Sequence, residues 1–110
     1  MRLLPGESMP GKLKTRLAPH EVRTVPEMGW AGKSNGEWLL LAEKEFEVFL
    51  TADQSLSYQQ NLPRFRIAVL VFLSNRLRDV DPLVPKVLEI LPELQPGTAT
   101  VLRQDSSATG

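Results

Sequence analysis

Residues 46–53 read Phe-Glu-Val-Phe-Leu-Thr-Ala-Asp, and this stretch decides the fold. Phe46, Val48, Phe49, Leu50 and Thr51 are apolar or β-branched, the composition of a buried strand. A strand covered on both faces carries apolar side chains throughout, so Asp53 is expected just past its C-terminal end, within reach of water. In open parallel α/β sheets ligands bind at that edge, in the crevice where strand order reverses. Asp53 therefore marks the candidate site. Taken alone, it has a second reading as the cap of a helix that begins at Gln54–Leu56.

Toward the N-terminus, Glu37–Glu45 is built from strong helix formers, with Asn35 as candidate cap and Glu37 in the first turn. Trp38, Leu41 and Ala42 recur at helical spacing and are expected to face the sheet. Pro26–Gly36 is a loop rich in proline and glycine, and Trp30 within it reads as a lid over the core edge rather than a base-stacking platform. His20–Val25 alternates and reads as a second strand. Arg2–Leu4 reads as the first strand, ended by the turn pair Pro5-Gly6. Ser8 is the candidate cap of a helix carrying Leu13 and Leu17 on one face. Toward the C-terminus, Gln54–Leu62 reads as a short helix or turns ended by Pro63. Ile67–Leu73 is the most hydrophobic run and the central strand. Ser74, Asn75 and Arg76 follow its C-terminal end. Pro82–Leu94 carries Leu83, Val87, Leu88 and Leu91 and reads as an amphipathic helix, and Thr98–Leu102 as an edge strand. The domain is expected over residues 1–103, with 104–110 a disordered tail.

Alternation of strands and helices with short connections predicts a three-layer α/β sandwich, a mainly parallel sheet of four to five strands with helices on both faces. In the order 2-1-3-4 the first and third strands are neighbours, and Glu7 and Asp53 approach each other at the switch point, with Glu37 coming from the intervening helix. Three such carboxylates repel unless a cation lies between them, and hard oxygen ligands suit Mg²⁺ or Mn²⁺. Glu37 also has a plainer reading, as complement to its helix dipole.

Bulk properties leave room for little else. The chain of 110 residues is 42% hydrophobic and 24% charged, the balance of a single globular domain. Thirteen basic residues match thirteen acidic ones, so affinity for RNA requires a local patch, with Arg64, Arg66, Arg76 and Arg78 as candidates. Absence of cysteine rules out disulfides and thiolate-bound zinc. No run is long enough for a membrane span or signal peptide, and a cytoplasmic protein is expected. No nucleotide-binding glycine motif or nucleophile elbow is present.

Several blocks in order, HEVRTVPEMGWAG, NGEWLLLAEKEFEVFLTADQSLSYQQNL and RIAVLVFLSNR, resemble a family of small bacterial PIN-like domain proteins. The resemblance covers about residues 1 to 95. Members are often paired with a small antitoxin and regarded as toxin-type ribonucleases. The resemblance implies a metal-dependent endoribonuclease using Mg²⁺ or Mn²⁺, an RNA substrate and an antitoxin partner. It places Glu37, Asp53 and Glu7 as metal-binding and catalytic acids, and Asn75 and Arg76 as substrate-binding residues. One departure stands out: Gly6 occupies the position of the family's opening aspartate, after Pro5. An inactive module that keeps the antitoxin or RNA contact is the alternative expectation. A homodimer joined through the Pro82–Leu94 helix is a further one.

Overall fold

Strands β1 (Arg2–Pro5), β2 (Glu21–Val22), β3 (Val48–Thr51), β4 (Ala68–Phe72) and β5 (Ala99–Leu102) form one sheet in a computed structural model that describes residues 1–18, 20–56 and 61–102. The order is β2-β1-β3-β4-β5, and every pair is parallel. The expected order therefore holds, with β5 added beside β4. The register sets Pro5 opposite Leu50 and Leu50 opposite Leu70, so the C-terminal ends of β1, β3 and β4 reach one sheet edge.

The helices are α1 (Leu13–Arg16), α2 (Asn35–Ala42), α3 (Leu77–Val80) and α4 (Val84–Ile90). Alternation along the strands splits the core in two. Leu3, Val48, Leu50, Leu70 and Phe72 pack with Leu13 of α1, with Leu17 just past its end, and with Val80, Val84 and Val87 of α3 and α4. Leu4, Phe49, Val69 and Val71 pack with Trp38, Leu39 and Ala42 of α2 and with Leu56 and Leu62. From β1 the chain runs outward to β2, then back across β1 to β3. Two crossovers of the same hand running in opposite directions lie on opposite faces, which puts α1 below and α2 above.

Several boundaries differ from the sequence reading, each for a local reason. The second strand shrinks from His20–Val25 to Glu21–Val22, because it is an edge strand paired only with β1. Ser8 is not the cap of α1: the helix starts at Leu13, with Lys12 at the N-cap position and no side-chain cap. The cap of α2 is Ser34 rather than Asn35, so the helix covers Asn35–Ala42 rather than Glu37–Glu45. With that shift Leu39 rather than Leu41 is fully buried. Pro82–Leu94 is not one helix: a 3-10 turn (Asp81–Leu83), α4 and a second 3-10 turn (Leu91–Glu93) follow each other, each with a proline at its start. Proline lacks the N–H that would continue the preceding turn, so three of them cut the segment into short pieces. Trp30 does act as a lid: its ring meets Phe46 edge-on at 6.2 Å, and its carbonyl accepts the Trp38 indole N–H at 2.8 Å.

No helix among the described residues is long and apolar enough to cross a membrane. The expected tail, 104–110, and the polar residues Tyr58, Gln59 and Gln60 lie outside the described residues.

Candidate functional site

Past the ends of β1 and β3 the chain turns to opposite faces of the sheet, toward α1 on one side and Leu56 on the other. That divergence opens a shallow hollow of about 330 Å³, bordered by Ser8, Asp53, Ser74 and Asn75. Asp53 stands where the sequence reading put it. Its backbone is fixed by the buried Thr51, whose hydroxyl accepts the Asp53 N–H at 3.0 Å. Its Oδ1 accepts the Ser55 backbone N–H at 3.0 Å and the Ser55 hydroxyl at 2.7 Å. The Leu56 N–H reaches the Asp53 carbonyl at 3.3 Å. Asp53 thus closes the turn over residues 53–56 and also borders the crevice, while the helix it was expected to cap runs outside the described residues.

Glu7 is exposed and borders a different depression, of about 370 Å³, between the ends of β1 and β2, with Met9, Lys14, Thr24 and Val25. Lys14 is tied there to Glu27, whose carboxylate also accepts the Thr24 N–H at 2.9 Å. The Lys14 ammonium first, and the Thr24 amide second, hold Glu27 down at about 2. A lowered folded pKa adds stability above the ordinary glutamate range that is lost as pH falls toward 2. The Glu27 carboxyl should therefore titrate near pH 2 by NMR, and Lys14→Met should bring its midpoint back toward 4.5.

Glu37 closes a capping box. Its Oε1 accepts the Ser34 N–H at 2.9 Å, and the Ser34 hydroxyl accepts the Glu37 N–H at 3.3 Å. The Ser34 backbone bond is the main cause of its lowered pKa. Removing the cap through Ser34→Ala should cost about 1 kcal/mol in urea unfolding. Glutamine serves equally well in a capping box. Glu37→Gln should therefore leave stability nearly unchanged, while removing a carboxylate from any site that uses it.

Gly6 is buried at the tip of β1, its N–H bonded to the Leu50 carbonyl at 2.7 Å. A Cβ built there meets the Phe49 ring at 3.1 Å, closer than an ordinary contact. The space an acid's side chain would enter is thus already narrowed by a fully buried aromatic ring.

The metal set implied by the resemblance does not fit the residues as placed. Gly6 supplies no ligand, Glu7 and Asp53 border different hollows, and Glu37 is held by Ser34. Among the described residues no three His, Cys, Asp or Glu side chains form a group that could hold an ion.

Beyond β4, the Ser74 hydroxyl accepts the Arg76 N–H at 3.1 Å and donates to Asp79 at 2.8 Å. Asn75 and Arg76 are exposed at this edge, beside the hollow. Arg64 and Arg66 precede β4 and so lie at the opposite sheet edge, about 17 Å away at roughly 3.3 Å per residue over five residues. The four arginines make two separate groups, and only Arg76 and Arg78 belong to the site. The Ser74–Asp79 pair escaped the sequence reading, although a serine directly after a central strand, with an acid five residues on, is its signal.

No protein-family model, no curated protein and no solved structure matches this chain.

Proposed function

We propose that this chain is a PIN-like domain that binds single-stranded RNA along the C-terminal edge of its sheet and no longer cleaves it. The observation that carries this reading is Gly6 at the tip of β1, with Phe49 crowding the place of the missing acid. The binding half is supported by the open hollow at the switch point, where ligands of such sheets bind, and by Asn75, Arg76 and Arg78 beside it. Arg76 and Arg78 make no ion pair among the described residues, which leaves both guanidinium groups available for phosphates. Net charge near zero and only two arginines at the edge among the described residues limit the affinity, so binding should be weak, with a modest salt dependence.

Fluorescence anisotropy with a labelled oligouridylate tests the binding half. Replacing both Arg76 and Arg78 by alanine should weaken binding and flatten the log–log salt slope by roughly 1.4, about 0.7 for each phosphate no longer neutralised. An unchanged slope would remove these arginines from the interface.

A second reading keeps cleavage. Asp53 is only partly buried and borders the hollow with Asn75, as an acid of a metal-dependent endoribonuclease would. On that reading Asp53 is the acid that serves the cleavage, and a small antitoxin protein restrains the activity. Cleavage by the wild type that vanishes in Asp53→Asn is its signature.

A further inference from the structure

A second cavity adjoins the hollow and shares Leu73 and Ser74 with it. It holds about 290 Å³ beneath α3, between the ends of β4 and β5. Phe72, Val80, Leu83 and Leu102 give it apolar walls, and Asp79 supplies its one carboxylate. Apolar walls around a few fixed polar groups are the usual make-up of a small-ligand site. Asp79 is only partly buried, and the Ser74 hydroxyl fixes one of its oxygens through a 2.8 Å bond. Ser74 is in turn held by the Arg76 N–H. The carboxylate is thus oriented before any ligand arrives, and its other oxygen has no hydrogen-bond partner among the described residues.

We infer that this cavity is a base pocket with a preference for guanine, resting on the reading of the adjoining edge as an RNA surface. A carboxylate accepts hydrogen bonds and donates none, and its two oxygens offer about four lone-pair sites, one of them taken by Ser74. Guanine is the only common base whose pairing edge presents two adjacent donors, N1–H and the N2 amino group. Adenine sets an acceptor beside its amino group, as does cytosine, and uracil offers one N–H between two carbonyl oxygens. Each of these three brings an oxygen or nitrogen lone pair against Asp79. Unstacked bases of single-stranded RNA are read on this edge while their faces lie against side chains. Here the faces would be covered by Leu73, which is 44% exposed, and by Leu83. Arg76 and Arg78, on either side of the start of α3, are positioned in the chain to meet the attached phosphate.

The test is a titration of the full chain with 5′-GMP and 5′-AMP, followed by NMR at the methyl groups of Leu73, Leu83 and Leu102. GMP should shift these methyls saturably and bind about tenfold more tightly than AMP, the discrimination expected of a two-bond contact to a base edge. Asp79→Asn keeps the size of the side chain and an acceptor for Ser74, yet places an N–H₂ against the base; it should abolish the preference for GMP. Leu83→Trp, which fills the cavity and leaves Asp79 in place, should abolish binding of both nucleotides. Equal affinity for GMP and AMP, shifts confined to other residues, or no binding by a folded wild type would each overturn the inference. Oligouridylate anisotropy on the same sample separates the two claims. If it binds while GMP does not, only the base pocket falls; if neither binds, the RNA reading falls with it.

Discussion

Phe49→Ala is expected to lower the unfolding free energy by about 3–5 kcal/mol, the usual cost of emptying a fully buried aromatic site. Phe49 is wholly excluded from solvent, sits in the middle of the strand between β1 and β4, and meets Trp38 at 6.2 Å between ring centroids. It also packs over Gly6. A domain of this size has only about 5–15 kcal/mol of stability to lose. Urea unfolding monitored by tryptophan fluorescence should thus show a large drop in midpoint, or no cooperative transition at all. Leu40→Ala supplies the contrast: Leu40 is 56% exposed on the outer side of α2 and should move stability by less than about 0.5 kcal/mol. A Phe49→Ala effect as small as that of Leu40→Ala would contradict the placing of β3 at the centre of the sheet.

Placing an acid at the tip of β1 has the second large effect, and it acts on two quantities in opposite directions. Gly6→Asp alone should destabilise the fold by about 1–3 kcal/mol, because the new side chain presses on the Phe49 ring and cores resist overpacking. Its backbone is not the obstacle, since Gly6 is not among the glycines with positive φ. Combining it with Phe49→Leu relieves the contact and keeps most of the buried volume. In that double variant the tip of β1 offers an oxygen ligand, and on the proposed reading Mn²⁺-dependent cleavage of a generic RNA should rise on the order of 100-fold above the wild type. That factor is the typical effect of correct placement at a reacting centre. A folded double variant no more active than the wild type would show that Gly6 is not what separates this chain from a nuclease.

The parts of the fold that depend on burial were legible in the residues. Ile67–Leu73, and Val48, Phe49 and Leu50 within Phe46–Thr51, are apolar at every position, which is the pattern of a doubly covered parallel strand. Their place at the centre of the sheet followed. Details set by single hydrogen bonds were not. Ser34 and Asn35 are both good caps in isolation, and the choice fell to Ser34 because its partner Glu37 stands three residues on and completes the reciprocal pair. The Pro82–Leu94 segment has a helical stripe, yet its three prolines outweigh the stripe at each turn. At the site, Asp53 could be placed because strand ends follow from the apolar pattern. Glu7 could not, because the turn closed by the Met9 N–H on the Gly6 carbonyl at 3.1 Å decides which hollow it borders. The Ser74–Asp79 contact spans a loop and the first turn of α3, so no periodicity announces it.

The most direct test of the central claim is a single-turnover cleavage assay of wild-type protein against single-stranded RNA in saturating Mn²⁺, with Asp53→Asn in parallel. The account predicts that the RNA is bound and left intact, with both proteins at the rate of the metal-only control. Wild-type cleavage above that control, absent from the Asp53→Asn protein, would contradict it and establish the chain as a working nuclease.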